Sequence, residues 1–304
     1  MPRDPDTTFT TEGESRFGFD DITERYALKM TSLARMGAPV NWALFQKEVM
    51  PPHLRLKKGL AAIVYRQELE ITDTPLQIQT PLKVLVKLQL GKNGEGEDTR
   101  IIARSDVEVL GTPMGGGELV SAGRMMIDHV FTRLTAPPPE RRVRAFDPEM
   151  DFSAPTPARE FDYLAPQALL DPPAGYEPLG EAVCDGEPHV WPYGNTDPNL
   201  HIHMMDYVGF GATFATDQFA RLGKPATDYF FNRCSVVYRR PFFTGDPYHR
   251  RGRAFTLDGG APTDLALCGA YYRTEGAPPE GEKPAVAFRF LTAAKPHGGI
   301  IPGK

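Results

Sequence analysis

The sequence has few cysteines and no long hydrophobic segment. Its 304 residues include three cysteines, which lie far apart and form no CxxC pair. An odd number of widely spaced cysteines argues against a disulfide framework or a zinc knuckle. No apolar run approaches the roughly 18 residues of a membrane-spanning helix, and the polar N-terminal stretch has no apolar segment typical of a signal peptide. We therefore predict a cytoplasmic protein with no membrane partner.

The sequence also lacks an excess of positive charge. It has 34 lysine and arginine residues against 39 aspartate and glutamate residues, which gives a formal net charge of -5. A protein that binds nucleic acid by releasing counterions needs a basic surface, so we expect no nucleic-acid partner. Hydrophobic residues make up 41% of the chain, an ordinary share for a soluble protein with a buried core.

Proline, in contrast, is abundant. The chain has 30 prolines, and they are densest between residues 136 and 178. Proline has no N–H group and fixes its own φ angle, so neither helices nor central strands tolerate such a density. We therefore predict a linker over 136–178, between an N-terminal domain, 1–135, and a C-terminal domain, 179–304.

The N-terminal domain is predicted to contain one helix followed by strands. A strand is expected over residues 24–31, and a helix over 40–50, where apolar residues follow helical spacing. Alternating or β-branched residues then predict four strands, at 61–71, 81–90, 100–110 and 118–134. The glycine-rich segments between them suit hairpin turns.

The C-terminal domain repeats this order of elements. A strand is predicted over residues 181–193 and a long, mostly apolar helix over 203–222. Four strands follow, at 235–243, 248–257, 265–273 and 285–292. The repeated order indicates a structural duplication. Because a helix that is apolar on most sides is buried, we predict an α+β protein in which an antiparallel sheet covers one central helix, twice.

The residues best suited to chemistry stand just before the C-terminal helix. In the run D-P-N-L-H-I-H-M-M-D-Y, a carboxylate, an amide and an imidazole occupy alternate positions, at Asp197, Asn199 and His201. Such an aspartate can act as a base or nucleophile, the asparagine can hold a carbonyl oxygen or a water, and the histidine can orient the substrate or move a proton. The alternative role of Asp197 is to cap the helix.

This run resembles the D-x-N-x-H-V-N-N-x-x-Y signature of hotdog-fold acyl-thioester hydrolases, which include the plant-type acyl-carrier-protein thioesterases. Asp197, Asn199, His201 and Tyr207 match it, and residues 235–255 resemble the strand that follows the hotdog helix. The resemblance implies a double hotdog fold, with Asp197, Asn199 and His201 as catalytic residues. It also implies hydrolysis of an acyl thioester of coenzyme A or of acyl carrier protein, without a cofactor, in fatty acid or polyketide metabolism.

The sequence departs from the signature in both halves. His203 and Met204 stand where the family has two asparagines. The N-terminal stretch 34–42, which we take as the matching loop, has neither the acid nor the histidine. The N-terminal domain is therefore expected to carry a degenerate site.

Further residues near the motif are expected to bind the substrate: His203, Tyr207, Tyr193, Arg239 and Arg240. The two arginines belong to a basic cluster suited to coenzyme A phosphates or an acidic carrier protein, and a solvated strand face is their alternative role. For Tyr193 the alternative is packing in the core. His201 and His203 form an H-x-H pair, but such pairs are common by chance, and we predict no metal.

Two other functions fit the same residues. R-specific enoyl-thioester hydratases use D-x-N-P-x-H on a similar fold, and this sequence is one residue short of that spacing because Leu200 directly follows Asn199. A non-catalytic acyl-thioester-binding protein is the second alternative, motivated by the lost asparagines and the degenerate first half. Two hotdog domains in one chain can replace the usual dimer, so the sequence is compatible with a monomer and with a homodimer.

Overall fold

The computed structural model describes residues 2–137, 140–197, 201–274, 276, 278–279 and 281–295, and of Arg55 and Leu56 only the main chain. The chain divides into two compact units. The first unit contains Met1–Asp20, Leu33–Gln67 and Leu76–Tyr163, and the second contains Asp21–Ser32, Glu68–Pro75 and Leu164–Lys304. Two short N-terminal segments therefore belong to the second unit.

Among its described residues, the first unit contains five long strands and two α-helices. Its strands are β1 (Thr8–Ser15), β2 (Leu60–Ile71), β3 (Leu82–Asn93), β4 (Arg100–Gly111) and β5 (Val120–Arg133). The helices are α1 (Met30–Glu48) and α2 (Pro52–Lys58); the start of α1 and the end of β2 fall in the second unit. Along the sheet the order is β1-β3-β4-β5-β2, and the pairs β1–β3, β3–β4 and β4–β5 are antiparallel.

The second unit contains one long helix, α3 (Met204–Arg221), and a second set of strands. These are β6 (Tyr176–Pro178), β7 (Val183–Cys184), β8 (His189–Val190), β9 (Tyr229–Tyr238), β10 (Pro247–Leu257), β11 (Leu265–Tyr272) and β12 (Val286–Ala294). The main order is β9-β12-β11-β10-β6, and all four pairings are antiparallel. Strands β7 and β8 also pair with β10.

In both units a long helix precedes four strands that meet in the same order. Starting from the first strand after the helix, the first unit has β2-β5-β4-β3-β1 and the second has β9-β12-β11-β10-β6. The shared topology agrees with the predicted duplication. The prediction of an α+β protein with antiparallel sheets and few helices is confirmed.

Helix α1 packs against β4 and β5. Gly37 allows a close approach, since a Cβ there would lie 2.8 Å from the Cγ1 of Val107. Two turns further along, the ring centroid of Phe45 lies 5.2 Å from that of the buried His129. The helix starts well before the predicted residue 40 and includes Pro39. The prediction was wrong there because packing on both sides of Pro39 outweighs the local cost of a proline.

Helix α3 agrees with its predicted range of 203–222 to within a residue at each end. It contacts β9, β10 and β12. Two glycines allow this contact: a Cβ at Gly211 would lie 2.8 Å from the Cε2 of Phe290, and one at Gly252 would lie 2.9 Å from the Cε1 of Phe214. The helix therefore lies against the sheet that follows it.

Several predicted elements differ from the observed ones. Residues 24–31 form a turn and the start of α1 instead of a strand, and 181–193 form only the short strands β7 and β8. Within the proline-rich stretch, Met150 and Leu169 are buried, and the unit boundary falls between residues 163 and 164. The predicted domain limits of 135 and 179 stay a prediction. No helix in the described part of the chain is long and apolar enough to cross a bilayer.

Candidate active site

Two of the three predicted catalytic residues lie on a short hairpin directly before α3. The main-chain N–H of Asp197 donates to the carbonyl of His201 at 2.8 Å, and Thr196 forms an antiparallel bridge with Ile202. The N–H of His201 donates to the Asp197 carboxylate at 3.1 Å. The hairpin thus brings Asp197 and His201 together at its base. Asn199, the third predicted catalytic residue, lies outside the described residues.

The hairpin also contacts the loop that follows β9. His201 forms an antiparallel bridge with Phe243, and their ring centroids lie 5.2 Å apart in an edge-to-face arrangement. The N–H of Ile202 donates to the carbonyl of Phe242 at 2.9 Å. These contacts hold the strand of the hairpin that carries the half-buried His201 imidazole against the loop after β9.

His203, predicted to bind substrate, is the N-cap residue of α3. Its Nδ1 accepts a hydrogen bond from the N–H of Met205 at 3.3 Å. This bond uses one of the N–H groups that a helix start leaves unpaired. The positive end of the helix dipole still lies beside the hairpin.

A side-chain contact that was missed in the sequence joins the hairpin to α3. The Nδ2 of Asn195 donates a hydrogen bond to the Oδ1 of Asp206. The carbonyl of Asn195 accepts a second bond from the N–H of His203 at 2.7 Å. Burial raises the pKa of the Asp206 carboxyl, although the hydrogen bond from Asn195 opposes the rise. The available signal was an aspartate in the first helical turn with an amide residue ahead of the N-cap.

Tyr207 is buried, with 2% exposure. Its hydroxyl accepts a hydrogen bond from the main-chain N–H of Phe242 at 3.2 Å, and its carbonyl accepts one from the hydroxyl of Tyr271 at 2.7 Å. Burial raises the pKa of Tyr207. These bonds fix α3 to the loop after β9 and to β11, so the observed role of Tyr207 is structural, and its contact with substrate stays a prediction.

Tyr193 and Trp191 have opposite surroundings. Tyr193 lies in a short 3-10 helix ahead of the hairpin and is 85% exposed. Trp191 is 1% exposed, and its ring packs against those of Tyr207 and Tyr248 at centroid distances of 4.9 and 4.4 Å. Trp191 therefore packs in the core. At its exposure, Tyr193 lies on the surface beside the hairpin and not in an enclosed pocket.

The two predicted arginines lie between β9 and the loop that contacts the hairpin. Arg239 donates from Nε to the carbonyl of Pro284 and from Nη2 to that of Lys283, each at 2.7 Å. Burial lowers the pKa of Arg239, and the neighbouring Arg240 lowers it further. Arg240 is exposed. The carbonyl groups that accept these hydrogen bonds are neutral, so they do not neutralise the positive charge of Arg239.

A loop with the same main-chain hydrogen bonds precedes α1. The N–H of Thr23 donates to the carbonyl of Ala27 at 2.8 Å, and the N–H of Lys29 donates to the carbonyl of Asp21 at 2.8 Å. An antiparallel bridge lies between these two bonds. The pattern matches the Asn195–His203 hairpin position by position, and each loop is followed directly by its long helix. The duplication therefore extends to the loop that carries the candidate site.

The copy before α1 has different side chains at the corresponding positions. Thr23, Arg25 and Ala27 stand where the other hairpin has Asp197, Asn199 and His201. The Nε of Arg25 donates to the carboxylate of Asp73 at 2.6 Å. The stretch 34–42, taken from the sequence as the matching loop, lies inside α1. That match was wrong because α1 begins earlier than predicted, but the true copy also lacks the acid and the imidazole.

A charged network in the second unit, away from the motif, was also missed. Arg250 donates from Nε to the Oδ2 of Asp185 at 2.9 Å and from Nη2 to its Oδ1 at 3.2 Å. Its Nη1 donates to the carbonyl of Phe210 in α3 at 3.2 Å, and the Nε2 of His189 lies 3.2 Å from the Asp185 carboxylate. Burial acts to raise the pKa of Asp185, but the bonds from Arg250 bring it below the ordinary value. The observed contacts of Arg250 are therefore structural.

The H-x-H pair gives no observed support for a metal site. Among the residues that the structure describes, no three His, Cys, Asp or Glu side chains form a group that could hold a metal ion. His203 caps α3 through Nδ1, and the ring of His201 contacts Phe243. The two histidines therefore have separate contacts.

No protein-family model and no curated protein matches the chain. Several solved structures do. A Lactobacillus plantarum protein described as an oleoyl thioesterase aligns with 95% of this chain and 98% of its own, at a TM-score of 0.62 and 12% identity. The 12:0-ACP thioesterase of Umbellularia californica aligns over 94% of each chain, at a TM-score of 0.59 and 12% identity. An acyl-ACP thioesterase of Bacteroides thetaiotaomicron aligns with 94% of this chain and 98% of its own, at 0.52 and 11%.

At identities this low, the likeness establishes the fold. The chain has the hotdog fold of these acyl-thioesterases over nearly its whole length. The hotdog fold that the D-x-N-x-H motif implied is therefore confirmed, and the sheet that covers one central helix in each half stays a prediction.

Proposed function

We propose that this protein hydrolyses an acyl thioester at the hairpin before α3. The observation that carries the proposal is the pairing of Asp197 with His201 across the base of that hairpin, immediately ahead of the N-terminus of α3. A carboxylate and an imidazole held beside a positive helix end can supply a base, a substrate contact and charge stabilisation.

The reaction follows from the roles of these groups. Asp197 removes a proton from a water molecule, whose oxygen attacks the thioester carbonyl carbon; in the alternative route the carboxylate attacks this carbon directly. The positive end of α3 stabilises the negative charge on the carbonyl oxygen. The C–S bond then breaks, and in the water route the sulfur leaves as a thiol with the proton that Asp197 removed from the water. In the direct route the sulfur leaves as a thiolate that takes a proton from water, and a second water then hydrolyses the Asp197 acyl anhydride to release the acid and restore the carboxylate. Asn199 and His201 hold the substrate and the water.

We propose that only one of the two corresponding hairpins, the one before α3, is an active site. Each unit is a hotdog domain whose sheet curves around its long helix, α1 or α3. The hairpin before α3 carries Asp197 and His201, whereas Thr23 and Ala27 at the corresponding positions before α1 offer no carboxylate and no imidazole. Catalysis therefore depends on the C-terminal hairpin alone.

The proposed substrate is a thioester of coenzyme A or of an acyl carrier protein. Arg239 and Arg240 supply positive charge next to the loop that contacts the hairpin, which suits phosphate or an acidic carrier. Two of the structural neighbours are acyl-ACP thioesterases, so carrier-bound acyl groups belong in the test beside acyl-coenzyme A.

Mass spectrometry of a panel of acyl-coenzyme A and acyl-carrier thioesters tests the proposal. The panel is incubated with the native protein, with Asp197→Ala, and with Asp217→Ala, which removes an exposed carboxylate from α3. We expect the native protein and Asp217→Ala to release the acyl group, and Asp197→Ala to leave it attached. Addition or loss of water on an intact thioester would assign the hydratase reaction instead. Unchanged thioesters in every sample would contradict hydrolysis.

A further inference from the structure

We infer that Asn195 and Asp206 form a clasp that positions Asp197 relative to His201. Neither residue is a matched position of the signature that indicated the site: Asn195 precedes the motif, and Asp206 stands at one of its variable positions. The inference rests on the proposed function and adds two positioning residues to it, which act through the hairpin and not on the substrate.

The clasp joins the beginning of the hairpin to the first turn of α3. The Nδ2 of Asn195 donates to the Oδ1 of Asp206, and the Asn195 carbonyl accepts from the N–H of His203 at 2.7 Å. The N–H of Asp206 in turn donates to the carbonyl of His203 at 2.9 Å. These bonds hold the residues that flank Asp197 and His201, so they limit how far the two can move apart.

The copy of the hairpin before α1 has the same main-chain hydrogen bonds, which we call the frame, but different side chains at the two clasp positions. There Lys29 donates to the carbonyl of Asp21 at 2.8 Å, and Ser32 donates to the carbonyl of Lys29 at 3.0 Å. The frame therefore forms with Asp and Ser at the positions of Asn195 and Asp206. The Asn195–Asp206 pair occurs in the hairpin that also carries the acid and the histidine. This coincidence indicates that the pair positions those two residues and does not serve folding alone.

The role of Asp206 in the clasp is that of a hydrogen-bond acceptor. Its carboxyl is half-buried, and burial raises its pKa. An amide oxygen at this position accepts the same bond from Asn195 without the cost of a buried charge. Asp206→Asn is therefore the conservative variant, and Asp206→Ala and Asn195→Ala each remove one partner of the bond.

Kinetics of the full chain give the first readout. We expect Asn195→Ala and Asp206→Ala to lower kcat by about 10- to 100-fold with little change in KM, because a small displacement of the reacting groups has an effect of this size. The double variant should be no slower than the slower single variant, since both changes break one bond. Asp206→Asn should retain native kcat and the native pH profile, and Asp217→Ala serves as the control.

Hydrogen exchange gives a readout that does not depend on hydrolysis. The main-chain amides of Asp197, His201 and His203 should exchange about tenfold faster in Asn195→Ala and Asp206→Ala, and at the native rate in Asp206→Asn. Unchanged amides in β11 verify that the variants are folded.

Native exchange or native kcat in Asp206→Ala would overturn the inference. An inactive Asp206→Asn with native exchange would also overturn it, because Asp206 would then transfer a proton. If the native protein hydrolyses no thioester and the exchange still changes as expected, the proposed function fails while the clasp stands.

Discussion

Tyr207 matches the thioesterase signature, but its observed contacts stabilise the fold. Its hydroxyl accepts the buried N–H of Phe242. Tyr207→Phe leaves this N–H without its acceptor, so we expect the free energy of unfolding, measured with denaturant, to fall by about 1–3 kcal/mol. Tyr193→Phe removes the same atom from an exposed ring and should change it by less than about 0.5 kcal/mol. Equal effects of the two substitutions would contradict the structural role of Tyr207.

Ser105 is a buried residue whose hydroxyl, unlike that of Tyr207, is not expected to stabilise the fold. It is completely buried on β4, and its hydroxyl has no hydrogen-bond partner among the described residues. Ser105→Ala removes a polar group whose loss of hydration nothing there offsets. We expect the free energy of unfolding to stay unchanged or to rise by about 1 kcal/mol. A loss of more than about 1 kcal/mol would show that the hydroxyl has a stabilising contact.

At the scale of elements, the Asp185–Arg250 pair links β10, α3 and the loop between β7 and β8. Both side chains are nearly buried, so Asp185→Asn leaves an uncompensated charge and should lower the free energy of unfolding by about 3 kcal/mol at neutral pH. The pKa of Asp185 is lowered in the folded protein. Its contribution is therefore present above the ordinary pKa of the carboxyl and is lost as pH falls through the lowered value.

Unfolding curves recorded from pH 7 down to pH 2 check this contribution. The native protein should lose stability on the acid side by more than Asp185→Asn does. Parallel losses in the two proteins would show that other carboxyl groups account for acid unfolding.

The elements also show what local sequence can and cannot predict. Alternation and glycine-rich turns located β2 to β5, and a long, mostly apolar stretch located α3, because these signals are local. The start of α1 was missed because its packing against β4 and β5 outweighs Pro39. Strands β7 and β8 are short because they exist only through pairing with β10, which residues 181–193 do not encode by themselves.

At the scale of the whole molecule, the order of elements predicted the duplication, and the structure located its second hairpin. No spacing rule identified residues 21–29 as the copy, because their side chains differ and only the main-chain bonds match. Asn195 and Asp206 were missed for a related reason: their contact depends on how the hairpin meets α3.

The duplication supplies a prediction for the full chain. Asp197→Thr combined with His201→Ala gives the C-terminal hairpin the residues of its copy, Thr23 and Ala27. Because the copy keeps the main-chain bonds with those residues, we expect the variant to fold with a Tm within a few degrees of the native value and to hydrolyse no thioester. Loss of folding would show that Asp197 and His201 are needed for the hairpin itself.

The rate of thiol release from acyl thioesters tests the central claim most directly. The native protein and Asp217→Ala should release thiol at the same rate, and Asp197→Ala should be slower by at least about 100-fold, as expected for the loss of a general base or nucleophile. Equal rates for the native protein and Asp197→Ala would contradict hydrolysis at this hairpin.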